Sequence, residues 1–127
     1  MANKLPTVLI SEDEVDINNL LSLILESEQF RVFQAFDGLA ALEMFKAHSD
    51  EIDLVVTDLG LPKMGGVELI EQIRKLKPSV KIIGASGFGR NNVREEVMQA
   101  GGDEFMPKPY ITSDLVSTAK SLLGLPS

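Results

Sequence analysis

The chain has 127 residues, 44% hydrophobic and 24% charged, with a formal net charge of −7. That is the size and make-up of one globular domain with its own core, expected to span residues 1–127 with the core in 7–123. The absence of cysteine excludes disulfides and thiolate metal sites, and the acidic balance argues against a nucleic-acid-binding surface, which needs clustered Lys and Arg.

The N-terminal run MANKLPTVLISED is broken by Pro6 and ended by acids, unlike the apolar stretch of a signal peptide. No apolar run approaches the roughly 20 residues of a membrane span. A cytoplasmic protein with no membrane partner is expected.

TVLIS (7–11) reads as the first strand. Residues 14–28 follow with Val15, Ile17, Leu20, Leu21, Ile24 and Leu25 near one helical stripe. FRVFQA (30–35) is the second strand; Asp37-Gly38 starts a helix over 38–47 that offers Leu39, Leu42 and Phe45. DLVVTD (53–58) precedes a helix over 66–76 with Val67, Leu69, Ile70 and Ile73, stopped at Lys77-Pro78. VKIIGA (80–85) leads to a helix over 90–100 with Val93, Val97 and Met98, stopped at Ala100-Gly101-Gly102. DEFMP (103–107) precedes a helix over 112–123 that starts at Thr112-Ser113-Asp114 and offers Leu115, Val116, Ala119 and Leu122. The tail GLPS reads as frayed. The first, third and fourth runs read as buried on both faces. Five strand–helix alternations imply a parallel sheet with right-handed crossovers and helices on both faces.

The stretch IIGASGFGR (82–90) raises the question of a dinucleotide-binding loop. Such a fingerprint follows the first strand and has the spacing G-x-G-x-x-G; here the glycines follow the fourth strand and the spacing differs. Gly87 and Gly89 read instead as loosening a strand-to-helix turn. Ser86, polar at the carboxyl end of a buried strand, is left to explain.

In open α/β sheets, ligands sit at the carboxyl ends of strands near a reversal of strand order. The first strand ends in Ser11-Glu12-Asp13-Glu14, the third in Thr57-Asp58, the fourth in Ala85-Ser86 and the fifth in Pro107-Lys108-Pro109. If the first and third strands are neighbours, Glu12, Asp13 and Asp58 converge, flanked by Lys108 and Ser86. A close pair of carboxylates repels by on the order of 4 kcal/mol at an effective dielectric of about 20. Lys108 offsets part of that, and a hard divalent cation such as Mg²⁺ suits the rest. Glu14 alone reads as a solvated residue at a helix start.

With VLISEDE, LVVTDLGLPKMGG, IIGASG and GGDEFMPKPY in order, the chain resembles the receiver domains of two-component response regulators over residues 7–123. The resemblance implies a flavodoxin-like α/β domain, five parallel strands in the order 2-1-3-4-5 with helices on both faces. It implies that Asp58 takes a phosphoryl group from a histidine kinase or histidine phosphotransfer domain. Mg²⁺ (or Mn²⁺) would be bound by Asp13, Asp58 and the backbone carbonyl of Gly60, with Glu12 acting through water. Lys108 and Ser86 would contact the phosphoryl oxygens, Phe105 would be the switch aromatic, and Lys108–Pro109 would be cis. The domain would catalyse its own phosphorylation and dephosphorylation and would be no enzyme on other substrates. The family often pairs through a face built by helix 4, strand 5 and helix 5, and some members are receivers of hybrid histidine kinases.

Three positions depart from the commoner pattern. Glu12 stands where Asp is more frequent, Gly60 leaves the phosphoacceptor less shielded, and Ser86-Gly87 replaces Thr-Ala. His48, the single histidine, reads as a solvated residue at a helix end. Met44, Met64, Met98 and Met106 read as core or edge filler. Arg74, Lys75, Lys77 and Lys81 in RKLKPSVK read as a solvated basic face that favours a helix C-terminus. Two rival functions are weaker. A flavin module needs a phosphate-cradling loop after the first strand, and SEDEVD would repel phosphate. A pseudo-receiver acting only as an interaction module would lack the acceptor or the lysine, and this chain has both.

Overall fold

The computed structural model describes residues 4–87 and 92–126. Ten elements alternate: β1 (Thr7–Ser11), α1 (Val15–Ser27), β2 (Arg31–Ala35), α2 (Gly38–His48), β3 (Leu54–Asp58), α3 (Gly66–Leu76), β4 (Lys81–Ser86), α4 (Val93–Ala100), β5 (Glu104–Pro107) and α5 (Thr112–Leu122). The five strands form one parallel sheet in the order β2-β1-β3-β4-β5. Every residue of β1 and β3 is buried, as central parallel strands require. The proposed turn at Gly89 and the expected helix start at residue 90 lie outside the described residues.

Side chains alternate between the two faces of the sheet. Leu9 and Val55 join Phe45 of α2, Leu69, Ile70 and Ile73 of α3, and Val97 of α4 in one core. Val8, Ile10, Leu54, Val56 and Ile83 join Leu21 and Leu25 of α1, and Leu115 and Ala119 of α5, in the other. α1 is rotated from the expected stripe. Val15 and Leu20 are 56% and 52% exposed, and the buried face runs through Asn18, Leu21, Ser22 and Leu25. Hydrogen bonds from the Asn18 amide to Glu12 O and Ala35 O fix that rotation. On α2, Leu39 is likewise exposed while Leu42 and Phe45 are buried.

The helix ends are held by specific backbone contacts. Asp37 caps α2 by accepting the Ala40 N–H at 2.7 Å. α5 starts at Thr112, as the sequence predicts, with Ile111 at the N-cap position and no side-chain cap hydrogen bond. α4 ends in a glycine in the left-handed region, Gly101 at φ 113°, with Gly102 N–H bonded to Val97 O. α5 ends similarly. Gly124 at φ 68° donates to Ser121 O and Leu125 donates to Lys120 O, while Leu125 packs on the core. Residues 124–126 of the tail are therefore anchored through Leu125 rather than frayed.

The basic run at the end of α3 is structural as well as exposed. Arg74 donates to the carbonyls of Gly101, Pro78 and Val80 and to Asp103. Lys77 Nζ donates to Ser49 O and Ile52 O, both at 2.7 Å. These side chains satisfy carbonyls at element ends, which cost free energy if buried unpaired. His48 is not simply solvated either: its ring stacks on Phe33 with centroids 4.4 Å apart, and Nδ1 lies 2.9 Å from Glu51 Oε2. Among the methionines, Met106 is buried and Met98 is exposed on α4.

Candidate functional site

Strand pairing assembles the acidic cluster. β1 and β3 are adjacent with Ser11 opposite Thr57, so the residues that follow them, Glu12 and Asp58, emerge side by side at the carboxyl edge. Carboxylate oxygens of Glu12, Asp13 and Asp58 lie within 4.8 Å of one another. Glu12 and Asp58 are buried; Asp13 is exposed. Asp58 is set by its neighbours: Leu59 N–H bonds to Ala85 O at 2.9 Å, and Gly66 N–H to Leu59 O at 3.0 Å. A Cβ on Gly66 would stand 2.4 Å from Asp58 O, so only glycine lets the start of α3 close on the acid's backbone.

Lys108 enters from the end of β5. Its N–H donates to Ser86 O at 2.8 Å, which ties the loop to β4, and its bond to Pro109 is cis. Its Nζ lies 2.9 Å from Glu12 Oε1, 3.6 Å from Asp58 Oδ2 and 3.8 Å from Glu14 Oε1. The second Glu12 oxygen accepts the Glu14 N–H at 3.1 Å. Both Glu12 oxygens are thus engaged, and the side chain is fully buried. Glu14 occupies the N-cap position of α1 without a side-chain cap bond; its carboxylate faces Lys108 instead.

Burial, the largest influence on Glu12, raises its pKa above 4.5, and the nearby charge of Asp58 adds to this; hydrogen bonds from Lys108 and Glu14 offset only part. Burial also pulls Lys108 down, but the Glu12 hydrogen bond and the charges of Asp58, Glu12 and Glu14 outweigh it, leaving the ammonium above 10.5. Tyr110, with Lys108 Nζ 5.8 Å from its ring centroid, is pushed up by burial and then by the charges of Glu12 and Asp58. The phenol therefore stays neutral.

Ser86 ends β4, half-buried, opposite Pro107 of β5. Phe105 pairs with Gly84 and lies two residues before Pro107, so Ser86 and Phe105 share a face of the sheet. Phe105 is half-buried and packs on the core beneath α4. Gly60 is exposed beside the cluster; a Cβ there would lie 3.9 Å from Asp58 Oδ2.

The three acids suit a hard divalent cation: all donors are oxygen, and Lys108 is already committed to Glu12, which leaves excess negative charge at Asp13 and Asp58. One residue at this site escaped the sequence reading. Asn18 lies under the β1–α1 loop and holds Glu12 O; its signal was a polar residue at i and i+3 to the buried Leu21.

A family model described as the response regulator receiver domain matches residues 8–120. The chain belongs to that family. Receivers of this family accept a phosphoryl group from histidine kinases or phosphotransfer proteins and bind Mg²⁺ in an acidic pocket. The chain is 32% identical over 117 residues to the sensor kinase CckA of Brucella abortus (strain 2308), covering 92% of this chain and 12% of that protein. The solved response regulator receiver domain protein from Clostridium thermocellum superimposes with a TM-score of 0.89 at 27% identity, over 94% of this chain and 95% of that one. In the CheX-CheY-BeF3-Mg+2 complex from Borrelia burgdorferi the match has a TM-score of 0.87 at 28% identity, over 93% and 89% of the two chains. The receiver spans about half or less of the curated relatives it matches. Among the described residues, no helix is long and apolar enough to cross a membrane.

Proposed function

We propose that this receiver takes a phosphoryl group onto Asp58 from a phosphohistidine of a histidine kinase or histidine phosphotransfer domain. An Asp58 oxygen bonds to phosphorus as the P–N bond to the donor imidazole breaks. Convergence of Glu12, Asp13 and Asp58 within 4.8 Å beside Lys108 is the observation that carries this reading.

Asp13, Asp58 and the Gly60 carbonyl would hold Mg²⁺ (or Mn²⁺), with Glu12 acting through water. Such a cation would supply the positive charge needed beside the phosphoryl oxygens and the acid. Lys108 has to exchange its 2.9 Å contact with Glu12 for a phosphoryl oxygen. Ser86 donates its hydroxyl to another oxygen. Pulling Ser86 toward Asp58 opens space on the face it shares with Phe105, whose inward rotation forms the two-state element of the signal. Water then attacks phosphorus, the bond from Asp58 Oδ to phosphorus breaks and inorganic phosphate leaves, so the domain also ends its own signal.

Residues 1–127 act as one cytoplasmic receiver, alone or within a hybrid kinase; the similarity to the sensor kinase CckA supports the second arrangement. Two copies pair through the α4–β5–α5 face, where Met98 is exposed.

Incubation with Mg²⁺ and a small-molecule phosphodonor, read as intact mass beside Asp58→Asn, tests the reading. The expected result is a phosphoryl-sized gain in the wild type that is absent in the variant and without Mg²⁺. No gain at any time point overturns it in favour of an interaction module that works unmodified.

A further inference from the structure

Asn18 is a fully buried amide on the core face of α1, between Glu14 above and Leu21 and Leu25 below. Its Nδ2 donates to two backbone carbonyls, Glu12 O at 3.0 Å and Ala35 O at 2.9 Å. Its Oδ1 accepts from Gln34 Nε2 at 2.9 Å and from Ser22 Oγ at 3.5 Å, and its backbone N–H donates to Glu14 O at 2.9 Å. Ala35 O also receives the Glu12 N–H at 3.1 Å. The peptide units on both sides of Glu12 are thereby pinned to the end of β2, and the amide is the bridge.

A buried amide costs roughly 2–7 kcal/mol unless it is hydrogen-bonded. A leucine would fill the stripe without that cost, as Leu21 and Leu25 do. What leucine cannot do is hold the Glu12 carbonyl, and with it the backbone that aims Glu12 and Asp13. We propose that Asn18 is a positioning residue for the acidic cluster: it sets the β1–α1 loop in the geometry that binds the cation. This rests on the cluster being a cation site, as proposed above. It concerns the support of the loop, so it can fail while the site itself stands. Groups that hold a metal ligand from behind typically change affinity by about 10–100-fold when removed.

The test is a titration of the full chain with Mn²⁺, read by the loss of the free-ion electron paramagnetic resonance signal, with Mg²⁺ as competitor. Asp13→Asn serves as the site control. Asn18→Leu keeps the branched shape of the side chain and removes both donated hydrogen bonds. Leu25→Val alters the same buried face two turns further along α1, at a residue with no hydrogen bond to Asn18 or to the loop. Gln34→Leu removes the donor that orients the Asn18 amide, together with its bond to exposed Asn19 Oδ1, and changes no apolar residue of α1, so it remains readable if Asn18→Leu fails to fold.

The expected result is a dissociation constant raised about tenfold or more in Asn18→Leu, raised less in Gln34→Leu, and unchanged in Leu25→Val at a comparable loss of melting temperature. Wild-type affinity in both Asn18→Leu and Gln34→Leu, with Asp13→Asn defective, overturns the role of Asn18 alone. A loss in Leu25→Val equal to that in Asn18→Leu reduces Asn18 to a packing residue and also overturns it. Binding by Asp13→Asn equal to wild type removes the cation site and the Asn18 role together.

Discussion

Lys108 is closed on Glu12, not on the phosphoacceptor: Nζ lies 2.9 Å from Glu12 Oε1 and 3.6 Å from Asp58 Oδ2. The extra methylene of Glu over Asp gives that reach. Because Glu12 is buried, its pKa stands above 4.5 in the native state, with burial the main cause. Below 4.5 the carboxyl is protonated folded or unfolded and contributes nothing to pH dependence. Between 4.5 and the raised native value the native state keeps a proton that the unfolded chain has released, so stability falls as pH rises. Above the native value the cost is constant. Glu12→Gln removes it. In metal-free buffer, urea denaturation across this range is expected to show the variant gaining on the wild type as pH rises, then levelling. A gap that stays flat or narrows with pH contradicts the assignment.

The strand-end acids were legible in the sequence because each follows a short β-branched run, and an all-parallel reading puts all such ends on one edge. The partner of Lys108 was not legible. The motif places the lysine near three acids, and only the register of β1, β3 and β5 with the length of the Glu12 side chain decides which it meets. Arg74 and Lys77 looked like a solvated face because three of their carbonyl partners, Gly101, Ser49 and Ile52, lie 25–28 residues away in sequence. Asn18 was passed over because periodicity counts apolar residues, and a buried amide with four partners looks the same in sequence as an exposed one. The rotation of α1, with Val15 and Leu20 outward, follows from it.

Gly60 and Gly66 flank the phosphoacceptor loop with opposite tolerances. A Cβ at Gly66 would collide with Asp58 O, whereas one at Gly60 would meet only Asp58 Oδ2, at 3.9 Å. A side chain at residue 60 can therefore stand beside the acceptor oxygen and obstruct water. Gly60→Met is expected to lose its aspartyl phosphate roughly three- to tenfold more slowly than the wild type, about 0.7–1.4 kcal/mol on the barrier. Decay of the phosphorylated mass after removal of the donor measures this; equal or faster loss in the variant refutes the shielding argument.

Val97 locks α4 against the strand that carries Ser86. A Cβ on Gly84 would stand 2.7 Å from Val97 Cγ2, and one on Gly102 2.4 Å from Val97 Cγ1. Gly84→Ala overpacks this contact and is expected to cost about 1–3 kcal/mol. Val97→Ala alone leaves a cavity, but in Gly84→Ala it makes room for the new methyl. The double variant should be more stable than the sum of the single losses by about 1 kcal/mol. Urea denaturation of all four proteins closes the cycle, and strict additivity would show that the two side chains do not compete for the same space.

Arg74 fastens the far end of β4 to the turn after α4. Nε and Nη2 donate to Gly101 O at 2.9 and 2.6 Å, Nη2 reaches Asp103 Oδ2 at 2.7 Å, and Nη1 reaches Pro78 O at 2.8 Å and Val80 O. Asp103 Oδ2 in turn accepts the Ile82 N–H at 2.8 Å. A planar guanidinium serves these acceptors at once, and a single ammonium cannot. Arg74→Lys is therefore expected to lose about 2 kcal/mol, close to the loss in Arg74→Met, because charge without the fork restores little. This clamp sits at the amino end of β4, away from Asp58 at the carboxyl edge, so phosphodonor-dependent mass gain should persist in both variants below their melting temperatures. Near-wild-type stability in Arg74→Lys would mean that the charge, paired with Asp103, carries the clamp and the carbonyl contacts do not.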